Sequence, residues 1–267
     1  MGNQLLAGKR GIIFGALDEN SLAWKVALRA KEEGAIFTLT NAKVAIRFGN
    51  LKQLGEICDA EVIIADATSM EDLQQLFEQS MEILGGKIDF VLHAIGMSPN
   101  VRKKKAYTNL NYDFYHQTLD VSAMSFHRVL QTAYQMDAIN DCGSVLALSY
   151  IAAQRIFPDY SDMADAKATL ESIARSFGYH YGIKNKVRVN TLSQSPTPTT
   201  AGQGIKSFTD FLAYADKMSP LGNASANSCA DYCITLFSDL TRMVTMQNLY
   251  HDGGFSSMGM SPLLLEE

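Results

Sequence analysis

Short apolar runs alternate along the chain with longer stretches of helical periodicity. Gly11-Ile-Ile-Phe14 predicts a strand that Gly15 ends, and Ser21 to Glu33 predicts an amphipathic helix stopped by Gly34. Strands follow at Ala35–Leu39 and Glu61–Ala65, then a helix over Ser69–Leu84 and a strand at Asp89–Ala94. A helix over Tyr112–Met136 leads to a fifth strand, Ser144–Leu148, and a helix near Ser161–Tyr181 leads to a sixth, Val187–Leu192. A helix near Ala226–Ser238 precedes a last strand, Gln247–His251. Short strands alternating with longer helices imply βαβ units and a parallel sheet. The strands read as continuous apolar runs, as expected where both sheet faces are covered.

The fold expected is therefore α/β, a single Rossmann-type doubly wound parallel sheet flanked by helices. No linker or composition break divides the chain, so residues 1–267 are read as one dinucleotide-binding domain. Two longer irregular stretches, Met97–Asn111 and Ser193 to about Phe208, each follow a strand. Ligands of open α/β sheets bind beyond the carboxyl ends of strands, so both stretches should border the site.

With 47% hydrophobic residues, 267 positions suffice for a large core without staples. A net charge of -5 disfavours nucleic acid as a partner. No run approaches a membrane span and the N-terminus lacks a signal-peptide pattern, so a cytoplasmic protein is expected. Cys58, Cys142, Cys229 and Cys233 are read as buried thiols rather than a zinc site. The five histidines (93, 116, 127, 180 and 251) have no metal-ligand spacing, and no metal is expected. Methionines such as Met97 and Met163 are expected to line an apolar pocket.

The first βα turn, Gly15-Ala-Leu-Asp-Glu-Asn-Ser21-Leu22-Ala23, has no Gly-x-Gly-x-x-Gly, and by fingerprint alone an ordinary strand-turn-helix fits as well. Gly15 nevertheless permits a sharp turn, and the following helix would turn free N–H groups toward a phosphate. The Ser21 hydroxyl can cap that helix or donate to phosphate. The second strand runs into Thr40-Asn41-Ala42-Lys43 with no acid for a ribose 2′-hydroxyl, while Lys43 and Arg47 can meet a 2′-phosphate. The residues thus leave NADH and NADPH both open. Asp66, before Ala67, can accept from an adenine amino group. Gly96, in His93-Ala-Ile-Gly96, lets backbone approach a ribose.

Beyond the fifth strand stand Tyr150, Tyr160 and Lys167. Seven positions separate the last two, which on one helix is two turns and a shared face. A phenol can donate to a developing oxyanion, and a neighbouring ammonium favours phenolate character and can hold ribose hydroxyls. Such a pair is common on surface helices. Its place after strand five of a nucleotide-binding pattern makes it the candidate hydride-transfer apparatus.

At these residues the chain resembles the short-chain-dehydrogenase-type enoyl-[acyl-carrier-protein] reductases of bacterial fatty acid synthesis. The resemblance spans nearly the whole sequence: Gly15–Ala23, Asp66, His93–Gly96, Leu148-Ser-Tyr150, Tyr160-x6-Lys167, Val187-Arg-Val-Asn190, Ser193–Thr199 and Asp252-Gly-Gly-Phe255. Tyr-x6-Lys discriminates, since ordinary members of the superfamily carry Tyr-x3-Lys and this chain has no such pair. The resemblance implies hydride transfer from NADH, with NADPH as the alternative, to the β-carbon of a trans-2-enoyl thioester. It implies that Tyr160 stabilises the enolate, that Lys167 holds the cofactor ribose and that Tyr150 lines the pocket. Gly15, Ser21, Leu22, Asp66, Ala67, Ile95, Gly96, Pro196, Thr197, Thr199 and Ala201 would line the cofactor, and Ser98 the substrate. A lid is expected over 193–218, with a helix at about Ile205–Met218. The implied partners are acyl carrier protein and further copies of the chain in a homotetramer.

Three departures from the family pattern stand out. Ala42 occupies a common glutamine position, Ala94 replaces a serine, and Gln194-Ser195-Pro196 replaces Ala-Gly-Pro. The basic run Arg102-Lys-Lys-Lys105 is either a solvated loop or a dock for an acidic carrier. Two other functions remain open: a carbonyl reductase of the wider superfamily, against which the missing Tyr-x3-Lys counts, and a non-catalytic nucleotide sensor, against which the intact Tyr150, Tyr160 and Lys167 count.

Overall fold

The computed structural model describes residues 3–200, 202 and 208–264. Seven parallel strands form one sheet in the order β3-β2-β1-β4-β5-β6-β7. They are β1 Arg10–Phe14, β2 Ile36–Asn41, β3 Val62–Ile64, β4 Ile88–His93, β5 Ile139–Ser149, β6 Arg188–Gln194 and β7 Asn248–His251. The helices are α1 Leu22–Glu32, α2 Lys43–Phe48, α3 Leu51–Cys58, α4 Met70–Leu84, α5 Pro99–Arg102, α6 Tyr112–Leu119, α7 Ser125–Gln135, α8 Met163–Asn185, α9 Phe208–Met218 and α10 Ala226–Phe237. Two apolar layers sandwich the sheet. One is built around Phe77, Phe126, Leu130 and Tyr181, the other around Trp24, Leu54, Phe90 and Phe237. The strand order reverses between β1 and β4, which sets the binding crevice of such sheets at their carboxyl ends.

The alternating pattern gives the right element types, with four corrections. The segment Lys43–Cys58 forms α2 and α3, for which no helix was expected. The helix expected over Tyr112–Met136 is α6 and α7 joined by a π turn, Asp120–Met124. The fifth strand begins earlier, at Ile139. The expected helix at Ser161 begins only at Met163, which changes the geometry of the candidate pair. The lid helix is described from Phe208, and the expected start at Ile205 lies outside the described residues.

Arg188, buried at the start of β6, locks that strand to the end of α10. Its guanidinium donates to the carbonyls of Leu236 (2.8 Å), Ser238 (3.1 Å) and Thr241 (3.1 Å) and to the Thr241 hydroxyl (2.6 Å). The Leu236 and Ser238 carbonyls lie at the C-terminal end of α10, where helix acceptors lack intrahelical partners, and a cation there also meets the negative end of the dipole. Arg188→Met should leave the Ser238 carbonyl without a donor among the described residues, remove one donor each from Leu236 O and Thr241 O, and cost on the order of 3 kcal/mol, seen as a lowered thermal midpoint. An unchanged midpoint would show that water satisfies the helix end equally well.

Candidate active site

The turn after β1 needs its glycine. Gly15 has φ +91, and a Cβ there would lie 2.3 Å from the Ala94 carbonyl oxygen, so only glycine lets β1 and the end of β4 close this tightly. Ser21 precedes α1 but does not cap it. Its hydroxyl donates to Asp18 O (2.8 Å) and accepts from Leu17 N–H (3.2 Å), which shapes the turn and leaves the helix N–H groups free of a side-chain cap. That corrects the capping expectation and keeps the helix start open to a phosphate, next to Leu22. Asn41, at the end of β2, donates to Ala16 O (3.0 Å) and braces the same turn. Lys43 and Arg47 are exposed on α2. Asp66 is exposed with one carboxylate oxygen taken by Thr68, and Ala67 is buried behind it.

Across the crevice, the loop after β6 carries buried Pro196, half-buried Thr197 and Thr199, and exposed Thr200. Thr200 donates to Asp18 (2.5 Å), joining this loop to the β1 turn. Ala201 lies outside the described residues. Ile95 and Gly96 continue from β4. A Cβ on Gly96 would stand 3.4 Å from the Met163 methyl and 3.7 Å from Lys167 Nζ, so glycine keeps the space beside the ammonium open.

The carboxyl edge of the sheet holds polar atoms that the protein leaves unused. Thr40 Oγ1, His93 Nδ1, Tyr150 Oη and Ser193 Oγ are buried and have no hydrogen-bond partner among the described residues. These groups stand at or just beyond the ends of β2, β4, β5 and β6. Buried polar atoms are rarely orphaned, and a row of them along a crevice fits a polar ligand such as a dinucleotide.

Lys167, in the second turn of α8, reaches back to β5 and donates to Leu148 O at 2.7 Å. Only 7% of it is exposed. Burial pulls the ammonium down to about 8, with the Glu171 carboxylate one turn further on opposing the shift. Glu171, buried itself, accepts from Ser149 Oγ (2.7 Å) and Gln154 Nε2 (3.1 Å). His93 donates to or accepts from Ser125 Oγ at 2.9 Å, and burial followed by the nearby Lys167 charge holds it down to about 3, so it is neutral. The Ser125 hydroxyl donates to Val121 O (2.7 Å), which assigns the proton of the His93–Ser125 contact to His93 Nε2.

Tyr160 does not share a helix face with Lys167. It ends a 3-10 turn, Pro158–Tyr160, and the chain breaks at Ser161, with φ 47 and ψ -133, before α8 begins. A non-glycine residue held there costs on the order of 1–3 kcal/mol, and such strain clusters at functional sites. The break turns the Tyr160 ring onto Tyr150, with centroids 5.0 Å apart. Burial raises both phenols well above their ordinary range, and at Tyr150 the neighbouring Tyr160 adds to the shift.

An aromatic wall extends from this pair. Phe157 lies 5.4 Å from Tyr150, and Phe211, on α9, packs 5.0 Å from Phe157 and 6.2 Å from Tyr150. Phe255 closes the far side at 6.1 Å from Phe157. Helix α9 thus contributes Phe211 to this aromatic wall. Ser98, expected to face substrate, is instead buried: its hydroxyl donates to Asp162 (2.6 Å) and accepts from Val101 N–H (3.0 Å). Glu171, Asp162, Phe157 and Phe211 escaped the sequence reading, and Phe255 stood in the resemblance without a role in this wall. Glu171 alone carried a usable signal, its place one turn after Lys167.

As pH rises through about 8 the Lys167 ammonium loses its proton. The kcat/KM for a nicotinamide cofactor, which reports the free enzyme, should therefore fall across that pH, and Lys167→Ala should weaken cofactor binding at any pH. A flat profile from one unit below to one above would show that the ammonium takes no part in holding the cofactor.

The model of the family described as Enoyl-(Acyl carrier protein) reductase matches residues 15–256. A Rhizobium meliloti (strain 1021) protein named Enoyl-[acyl-carrier-protein] reductase [NADH] 1 is 33% identical over 258 residues, 96% of this chain and 93% of its own. The crystal structure of a FabI-NADH complex from Alistipes finegoldii is similar at TM-score 0.96 and 64% identity, over 97% of this chain and 92% of that one. The Bacillus cereus Enoyl-Acyl Carrier Protein Reductase, solved with NADP+ and an indole naphthyridinone, is similar at TM-score 0.90 and 27% identity, over 97% of this chain and all of that one. The chain belongs to the enoyl-(acyl carrier protein) reductase family.

Proposed function

We propose that this chain reduces the trans-2 double bond of enoyl groups carried on acyl carrier protein, with NADH as reductant, in fatty acid biosynthesis. The observation that carries this reading is the packed, half-buried Tyr150–Tyr160 pair just beyond the end of β5, the strand whose carboxyl end also anchors the buried Lys167 ammonium through Leu148 O. NADH supplies the hydride that adds to the β-carbon of the enoyl thioester. Tyr160 donates a hydrogen bond to the thioester oxygen as negative charge gathers there, in a water-poor setting that strengthens the interaction. Tyr150, whose phenol has no partner among the described residues, lines the same pocket and offers a second donor. Lys167 holds the cofactor ribose and keeps positive charge near the phenol. Gly15, Ser21 and Leu22 would border the pyrophosphate, Asp66 and Ala67 the adenine, and Ile95, Gly96, Pro196, Thr197, Thr199 and Ala201 the nicotinamide half.

NADPH is the alternative donor, because the end of β2 has no acid to repel a 2′-phosphate and exposed Lys43 and Arg47 stand nearby. The whole chain acts as one domain with its lid over 193–218. It works in the cytoplasm, as a homotetramer. No helix among the described residues is long and apolar enough to cross a membrane.

Purified protein given NADH and an enoyl thioester should consume NADH, followed by its near-ultraviolet absorbance, with NADPH run in parallel. Tyr160→Phe should lower kcat by about 100-fold with little change in the KM for NADH, as for an interaction special to the transition state. Full kcat in that variant on carrier-bound substrate would remove Tyr160 from the mechanism, and no oxidation with any enoyl thioester would defeat the proposed activity.

The run Arg102–Lys105 is exposed and begins two residues after Asn100, which bonds to Asp162, two residues from Tyr160. That position supports docking of the acidic carrier at the substrate mouth. Reversing these charges should raise KM for carrier-bound substrate about tenfold and leave a coenzyme A analogue unaffected. Equal effects on both substrates would assign the run to an ordinary solvated loop.

A further inference from the structure

We propose that Asp162 is a positioning residue for Tyr160: its carboxylate, clamped by Ser98, Asn100 and Thr118, fixes the strained Ser161 backbone and with it the place of the phenol. This rests on the reading of Tyr160 as the enolate-stabilising group. Because the chain breaks at Ser161, α8 does not hold Tyr160 in the way it holds Lys167. A backbone at φ 47 persists only where its surroundings over-determine it. The Ser161 side chain does not do so, for its hydroxyl is buried without a partner among the described residues. The constraint must come from the neighbours on either side.

On one side the Tyr160 N–H closes a turn to Phe157 O (2.9 Å). On the other stands Asp162, 0% exposed. A carboxylate at a helix start ordinarily accepts N–H groups of its own helix, but Asp162 caps nothing in α8. It turns outward instead. Oδ1 accepts from Ser98 Oγ at 2.6 Å, and Oδ2 from Asn100 Nδ2 at 2.8 Å and from Thr118 Oγ1 at 2.8 Å. Thr118 Oγ1 also lies 2.8 Å from Phe114 O, and its single proton serves the charged acceptor better.

The donors come from the N-terminal end of α5 (Ser98 and Asn100) and from α6 (Thr118). Asn100 is gripped in turn by Asn111, whose N–H it receives at 3.1 Å and whose carbonyl it bonds at 3.1 Å. All three donors are neutral, so the hydrogen bonds alone compensate the buried charge, and losing them is severe. Tyr160 is therefore referenced to α5 and α6 through Asp162. Lys167 is referenced to β5 through Leu148 O. The two groups have separate anchors, and a perturbation at Asp162 should move one of them.

The test is a double-mutant cycle in steady-state kinetics with NADH and an enoyl thioester. Asp162→Ala should lower kcat by about 10- to 100-fold, the scale of a small misplacement of a catalytic group, and leave KM for NADH within about twofold. In a Tyr160→Phe background the same change should have almost no effect on kcat, because the misplaced group is already gone. Asp162→Asn, whose amide can face the Ser98 hydroxyl, should lose less. Thr118→Val and Ser98→Ala, which each remove one donor, carry the same cycle if Asp162→Ala does not fold.

A second readout needs no turnover: the 19F resonance of 3-fluorotyrosine at position 160, assigned by its loss in Tyr160→Phe, should shift or split in Thr118→Val and Asp162→Asn. An equal kcat loss in both backgrounds, or an unmoved resonance, overturns the positioning role. A wild-type protein that reduces no enoyl thioester overturns the functional reading instead, and the resonance then decides the positioning by itself.

Discussion

Lys167 is a cation in a place that disfavours cations, and much of the carboxyl edge is arranged to keep it charged. Its hydrogen bond to Leu148 O ties α8 to the end of β5, and the strand carbonyl offers a partial negative charge at 2.7 Å. Desolvation still brings the ammonium down to about 8, and Glu171 is the group that opposes it. Glu171 is itself buried and depends on Ser149 and Gln154 for its hydrogen bonds. Ser149 precedes Tyr150, so the chain that lines the pocket also holds the carboxylate that steadies the lysine. Neutral His93 at the end of the neighbouring strand β4 completes the arrangement: a second positive charge there would push Lys167 further toward the free amine.

The phenols answer to a different constraint. Tyr150 and Tyr160 sit in an apolar wall with Phe157, Phe211 and Phe255, where ionising either ring would be costly. Such phenols remain proton donors, which is what a developing enolate oxygen requires. Part of this wall belongs to α9, whose Phe211 packs on both Phe157 and Tyr150. A substrate chain entering between Phe211 and Tyr150 would meet aromatic faces first and the hydrogen-bonding groups beyond them.

Periodicity carried the layer order of strands and helices because the sheet is covered on both faces and its strands read as unbroken apolar runs. Tyr150, Tyr160 and Lys167 were visible as residue types at a characteristic spacing after strand five. Their geometry was not. Nothing in Tyr-Ser-Asp-Met announces a positive φ at Ser161, since serine has no intrinsic preference for it and tertiary contacts impose it. The Asp162 clamp joins positions 64, 62 and 44 apart, a distance no local pattern spans. The π turn at Asp120–Met124 was hidden for a related reason: it adjusts the phase of an otherwise continuous helix so that the Ser122 hydroxyl reaches both Met97 N and O (2.9 Å each). The helices α2 and α3 are too short and too interrupted by Gly49 and Asn50 to leave a clear repeat.

The substitution of Gln194-Ser195 for Ala-Gly before Pro196 shows how a departure from a family pattern is absorbed. Gln194 Nε2 donates to Ala224 O (3.1 Å) and Thr197 Oγ1 (3.3 Å), which turns its carbonyl oxygen toward His251 Nδ1 at 2.6 Å. His251 must then donate from Nδ1, as it does whether neutral or protonated, so the contact survives titration of the ring. Ser195 accepts from Ala224 N–H (3.1 Å), and Asn223 donates to Pro196 O (2.6 Å). Two side chains larger than the family's small pair thus knit the loop after β6 to β7 and to the segment before α10. The backbone freedom given up with the glycine is replaced by side-chain ties. The root of the loop after β6 is thereby held from two sides, by β7 and by the segment before α10.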